Sequence, residues 1–156
     1  MFSQIWFVLS ILLVCFSSSL CIEYDKIVAI ETVTADDMES GMDVGGGSFI
    51  NLEVYGHYGG LECEIYRLLH AETMGQGDFA PGKTDRFDGS DLQACDGEEV
   101  TWYPGSVSKV RVTHAGDDGW GVKYVRVYFD DSSYITCGDG ETVYVNGDQS
   151  ADLMVW

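Results

Sequence analysis

The sequence has 156 residues, 46% of them hydrophobic, and carries 26 acidic side chains against eight basic ones, for a formal net charge of −18. That length supports one hydrophobic core and is too short for two. The charge repels nucleic acid and anionic lipid, which argues against a nucleic-acid-binding protein, and it supplies many oxygen ligands for hard cations. A well-solvated surface is the plainer explanation of the same charge.

The N-terminal segment is typical of a secretory signal peptide. Residues 5–16 form an apolar run that is too short to span a bilayer, and three serines follow it. The usual basic start is missing, since no Lys or Arg precedes Lys26. Cleavage fits after Ser19 or after Cys21. We predict a signal peptide over residues 1–21, one domain over residues 22–156, and a secreted, extracellular protein without a transmembrane segment.

The cysteines of the mature chain indicate disulfides rather than a metal site. They are widely spaced and include no C-x-x-C pair, which argues against zinc, and secretion favours bridges. We predict a disulfide between Cys95 and Cys137. Cys63 then pairs with a retained Cys21, stays as a buried thiol or joins another chain.

Short alternations of apolar and polar residues, separated by glycine-rich turns, fill the rest of the chain. In residues 122–129, for example, Val125, Val127 and Phe129 fall on one face and the residues between them on the other. The predicted strands are residues 24–33, 48–56, 62–69, 84–88, 98–103, 107–114, 122–129, 133–137, 141–146 and 151–155. Many short strands with a turn about every ten residues predict an all-β fold, an antiparallel sandwich or barrel.

The stretch VSKVRVTH shows the same alternation immediately before the strand at 122–129. We therefore predict that the two strands are neighbours joined by a glycine-rich turn over residues 115–121, which carries Asp117 and Asp118. His114 continues the face of Val110 and Val112. That position favours a packed structural histidine over a catalytic one.

Acidic residues gather in three of the predicted loops. They are Asp36, Asp37, Glu39 and Asp43 after the first strand, Glu72 and Asp78 before Phe79, and Asp117 and Asp118 in the turn above. If the three loops meet at one end of a sandwich, their carboxylates supply much of the roughly six to eight oxygen ligands that Ca²⁺ takes. The alternative is that each is a solvated turn residue, because Asp is a standard turn former.

The catalytic and nucleotide-binding motifs that we searched for are absent or lack their structural context. GDFAPGKT, residues 77–84, fits the phosphate-loop pattern, but such a loop must lead into a helix, and DRFDGSD is a poor helix sequence. The chain has no G-x-S-x-G, no H-E-x-x-H and no EF-hand loop, and its three histidines are spread over separate segments. We predict that the protein is not an enzyme and has no catalytic residues.

Three stretches together resemble the PLAT, or lipoxygenase-homology, domain family. They are YDKIVAIETVTADDMESGMDVGGGSFINLEVYG, GDFAPGKTDRFDGSDL and VSKVRVTHAGDDGWGVKYVRVYF, and the match spans roughly residues 24–146. The resemblance implies a β-sandwich of two roughly four-stranded sheets that binds a lipid surface or a protein. In several members of the family, calcium bound at the loop end assists.

The resemblance also implies a set of calcium ligands. The matching acidic positions are Asp43, Asp78 and either Asp117 or Asp118, with Glu72 a looser match. Ala115 stands where the family usually has an Asp after the histidine. The resemblance further places Trp120 at the start of a strand, where it packs against the sandwich; Trp side chains are highly buried on average.

We therefore expect a secreted, non-catalytic module that binds a lipid surface or an extracellular protein, with calcium as the cofactor. Three or four carboxylates facing an anionic leaflet would cost about 2–3 kcal/mol, so lipid binding requires calcium, neutral lipid or both. The alternative is an acidic structural or extracellular-matrix protein whose charge serves solubility or cation contact. The ligand and the oligomeric state stay open.

Overall fold

The computed structural model describes residues 26–37, 48–70, 77–92, 107–116 and 118–156. Its strands are β1 Ile27–Thr34, β2 Phe49–Gly56, β3 Leu61–Leu68, β4 Thr84–Asp88, β5 Val107–Ala115, β6 Gly119–Phe129, β7 Tyr134–Cys137, β8 Val143–Asn146 and β9 Ser150–Met154, and a 3₁₀ turn, Gly89–Leu92, follows β4. Nine of the ten predicted strands are confirmed, with ends shifted by three residues at most. The tenth, residues 98–103, and the predicted signal peptide lie outside the described residues.

The strands form two antiparallel sheets. The five-stranded sheet has the order β4-β1-β6-β7, with β8 pairing with another part of β6, and the four-stranded sheet has the order β3-β2-β5-β9. The all-β antiparallel sandwich is thus confirmed, with one more strand in the first sheet than expected. Within the described residues, no helix is long and apolar enough to cross a membrane.

The core lies between the inner faces of the two sheets. Val125, Val127 and Phe129 of β6 are buried, while the residues between them are half-buried on the outer face, as the alternation predicts. In the other sheet, β2 buries Leu52 and Val54 with the same period of two. The hydrophobic pattern along each strand therefore decides which face of its sheet points inward.

The predicted pairing of the two strands around residues 115–121 is wrong. β5 pairs with β2 and β9 in one sheet, and β6 pairs with β1, β7 and β8 in the other. The connection after β5 crosses between the sheets rather than forming a hairpin. Gly116 permits this close crossing, because its φ is +133° and a Cβ there would lie 2.7 Å from the Cα of Ser48.

Trp120 and His114 both lie in the core, as expected. The Trp120 ring is fully buried, its indole Nε1 donates to Thr34 Oγ1 over 2.9 Å, and Phe79 contacts it edge-on at 5.0 Å between ring centroids. His114 is fully buried, with its Nε2 3.3 Å from Asp118 Oδ1. His114 thus contacts the turn between β5 and β6, while Trp120 contacts β1 and Phe79.

The predicted Cys95–Cys137 disulfide is wrong. Cys137, at the end of β7, is a free thiol, and burial in the core raises its pKa to about 12. Cys95 lies outside the described residues. Cys63 on β3 is also buried, but it is not a free thiol. Of the three alternatives for Cys63, the buried free thiol is therefore excluded.

Candidate functional site

Four connections meet at one end of the sandwich, which we name the acidic end. They join β1 to β2, β3 to β4, β5 to β6, and β8 to β9. The strand ends next to these connections pair with one another within each sheet. The paired residues are Thr34 and Val122, Val33 and Thr84, Ile50 and Leu68, Phe49 and Ala115, and Gly119 and Asn146. The strand ends that lead into all three predicted acidic loops therefore lie at the same end of the sandwich. Among the predicted calcium ligands, Asp43, Glu72 and Asp117 lie outside the described residues.

The acids described on the first loop have protein partners. Lys123 Nζ donates to Asp36 over 3.1 Å and lowers the pKa of that carboxyl, although both groups are partly or largely exposed. The Tyr144 hydroxyl donates to Asp37 Oδ2 over 2.8 Å. On the β5–β6 turn, Asp118 has His114 as its partner at 3.3 Å. These contacts fasten the ends of the loops to the sheets.

A compact group of charged side chains comes from the connection between β3 and β4 and from β4 itself, and we name it the Asp78–Asp85 cluster. It consists of His70, Asp78, Lys83 and Asp85. Both carboxylates are buried, with 3% and 2% of the residue exposed. In the described part of the chain, His70, Asp78 and Asp85 are the one group of His, Cys or acidic residues with atoms, all within 4.8 Å of one another, that suit a metal ion. Asp118 is not part of this group.

His70 fastens the connection after β3 to both Asp78 and β4. Its backbone N–H donates to Asp78 Oδ2 over 2.8 Å, and its ring Nδ1 is 2.6 Å from Asp78 Oδ1. Its Nε2 is 2.8 Å from the carbonyl oxygen of Arg86. Carboxylates and carbonyls only accept, so both ring nitrogens donate, which requires the charged imidazolium form.

Asp85 and Lys83 complete the cluster from the other side. The buried Phe79 N–H donates to Asp85 Oδ2 over 2.8 Å. The Lys83 ammonium lies 2.5 Å from Asp85 Oδ1 and 3.9 Å from Asp78 Oδ1, and it donates to the carbonyl oxygen of Gly77 over 2.7 Å. The Lys83 ammonium therefore lies beside three oxygens of the kind that bind hard cations.

The sequence pattern predicted only Asp78 of this cluster. Lys83 and Asp85 lie in GDFAPGKTD, the stretch whose first eight residues match a phosphate loop. A strand, β4, begins at Thr84 of this stretch instead of a helix, as expected, and the lysine of the motif donates to the carbonyl oxygen of Gly77 in the same motif. The sequence signal that could have indicated the cluster is the spacing of Lys83 two residues before Asp85.

Because His70 is charged in the folded protein, we expect the folding stability to depend on pH. Burial lowers the pKa of His70, but the hydrogen bonds to Asp78 and Arg86 and the negative charges of Asp78 and Asp91 outweigh it and raise the pKa above 6.5. The imidazolium therefore stabilises the fold in full below about pH 6.5, and this stabilisation is lost as pH rises through the folded-state pKa. Denaturant unfolding of wild type and His70→Gln from about pH 5 to pH 8 measures it. The stability difference between the two should shrink as pH rises; a constant difference would contradict the prediction.

Comparison with known proteins identifies the fold of the chain but does not assign it to a family. No protein-family model matches the sequence, and no curated protein matches it. Among solved structures, the chain is similar to the alpha toxin of Clostridium absonum, with a TM-score of 0.55 and 17% identity over 83% of this chain and 32% of the toxin. It is also similar to the Clostridium perfringens alpha toxin from an avian strain, with a TM-score of 0.57 and 11% identity over 87% of this chain and 33% of the toxin. The chain spans about a third of each toxin, and the likeness shows the sandwich fold.

Proposed function

We propose that the chain is a secreted, non-catalytic module that binds a lipid surface with its acidic end, assisted by calcium. The observation that carries this proposal is that the strand ends leading into three acidic loops lie at one end of the sandwich. The resemblance to PLAT domains supports a lipid surface as the partner. The signal-like N-terminus supports secretion.

Calcium has a physical reason to act at the acidic end. Carboxylates gathered on one surface repel one another and repel an anionic membrane, and a bound cation reverses that sign. Asp43, Asp117 and Asp118 are the carboxylates that we assign to calcium, with Glu72 as a looser candidate. Asp118 is accessible for this role, because its side chain is 35% exposed beside His114.

Sedimentation with phosphatidylcholine vesicles, alone and mixed with anionic lipid, tests the proposal. We expect the protein to sediment with the vesicles in millimolar calcium and to be released by a chelator. Replacing Asp117 and Asp118 together with Asn should remove the calcium effect. The matched control is the double replacement Asp130→Asn and Asp131→Asn, which changes the charge equally on the turn after β6, at the opposite end of the sandwich, and should bind like wild type.

A lack of vesicle binding at every calcium concentration would contradict the proposal. The acidic structural or matrix protein would then be favoured. One observation already points toward it, since Asp36 and Asp37 are paired with side chains of the protein itself. If both double variants bound vesicles equally well, the carboxylates of the β5–β6 turn would not be needed for lipid binding.

A further inference from the structure

We propose that Lys83 is the resident cation of the Asp78–Asp85 cluster, with its ammonium group in the place of a metal ion. Lys83 thereby keeps this cluster closed to calcium. The inference refines the proposed function and rests on it only in confining calcium to the other carboxylates of the acidic end. The closure of the cluster itself is a property of the isolated domain and is measured without lipid.

The Lys83 ammonium lies within hydrogen-bond or ion-pair distance of three oxygens, two of them from carboxylates. Its neighbours are the Asp85 carboxylate at 2.5 Å, the Gly77 carbonyl at 2.7 Å and the Asp78 carboxylate at 3.9 Å. Carboxylate and carbonyl oxygens are also the ligands that Ca²⁺ takes, at about 2.3–2.6 Å. The ammonium and a calcium ion therefore compete for the same oxygens.

The charges of the cluster balance without a metal. Two carboxylates that are almost fully buried require nearby positive charge, since an unpaired buried charge is strongly destabilising. Lys83 supplies one positive charge, and the imidazolium of His70 supplies the other. A divalent ion entering this neutral group would have to displace Lys83.

The covalent chain favours lysine in that competition. Lys83 is two residues from Asp85 and five from Asp78, so its ammonium acts at the high effective concentration of a tethered ligand. Its side chain is 41% exposed, so the stem reaches the cluster from the solvent side. Truncating or neutralising Lys83 therefore removes the cation without opening a cavity in the core.

Counting bound Mn²⁺ by electron paramagnetic resonance tests the proposal, with Lys83→Gln as the open variant and Lys83→Arg as the charge-preserving control. We expect Lys83→Gln to bind one more Mn²⁺ per chain than wild type, and Lys83→Arg to bind the same number as wild type. Adding Asp78→Asn to Lys83→Gln should remove the extra ion. Calcium should also raise the melting temperature of Lys83→Gln by more than that of wild type.

Two results would overturn the proposal. One is a Lys83→Gln variant that folds, binds no additional Mn²⁺ and gains no extra stability from calcium, which would make Lys83 an ordinary ion-pair partner. The other is a folded Asp85→Asn variant that binds fewer Mn²⁺ ions than wild type, which would show a metal beside Lys83. This second comparison decides the question even if Lys83→Gln does not fold. Vesicle binding plays no part in either result, so the proposed function stands or falls separately.

Discussion

Replacing Trp120 with alanine is expected to destabilise the domain by about 3–5 kcal/mol, the range for removing a large aromatic side chain from a core. The indole is fully buried at the start of β6, and it packs edge-on against Phe79. The substitution also leaves the Thr34 hydroxyl, which is buried, without the donor that it has in the native protein. Denaturant unfolding at equilibrium measures the loss.

Trp156→Ala is the matched control for this measurement. The same side chain is removed, but Trp156 is 87% exposed. Exposed substitutions of this kind change the free energy of unfolding by no more than about 0.5 kcal/mol. If Trp120→Ala cost no more than Trp156→Ala, the placement of Trp120 in the core would be wrong.

Asp85→Ala is expected to destabilise the domain by about 1.5–3 kcal/mol, the range for hydrogen bonds to charged groups and for buried donors left without a partner. Asp85 accepts a hydrogen bond from the Phe79 N–H, which is buried. Without Asp85, this N–H loses the acceptor that it has in the native protein. Phe79 is also held at φ 57°, a conformation that is uncommon for a bulky residue and that the surrounding structure must maintain. Thermal or denaturant unfolding reports the change.

Two variants separate the causes of that loss. Asp88→Ala removes a carboxylate from the same strand, but its side chain is 67% exposed and its Arg86 partner is 3.9 Å away, so the free energy of unfolding should change by no more than about 0.5 kcal/mol. Asp85→Asn keeps an oxygen for the Phe79 N–H while removing the charge beside Lys83. An Asp85→Asn variant as unstable as Asp85→Ala would show that the charge, rather than the hydrogen bond, carries the effect.

The strands were predictable because each is defined by its own residues. From Val110 to His114 in β5 and from Val125 to Phe129 in β6, buried and half-buried side chains alternate, and a period of two is visible in a single segment. The sheet partners were not predictable in the same way. Both strands present the same alternation, and nothing in it states whether β5 pairs with β6 or, as the structure shows, with β2 and β9.

The candidate site was predictable to a similar extent. The gathering of the acidic loops follows from their places after β1, β3 and β5, so the fold alone brings them to one end. The partners of the individual acids do not follow, since Asp36 and Lys123 are 87 residues apart and Asp37 and Tyr144 are 107 apart. Cys137 shows the same limit, because its burial on the inner side of β7 depends on packing rather than on cysteine spacing.

The position of β1 between β4 and β6 has a consequence for how the chain folds. Glu31 of β1 and Arg126 of β6, an ion pair at 2.8 Å, are separated by 95 residues. A ribosome adding about 5–20 residues per second makes the second strand about 5–20 s after the first. Until then β1 lacks its principal partner, and its apolar face, which includes Ile30, has no completed core to enter. Because β pairings of this long range also fold slowly, in milliseconds to seconds, β1 is exposed to aggregation or chaperone binding while the chain is being made.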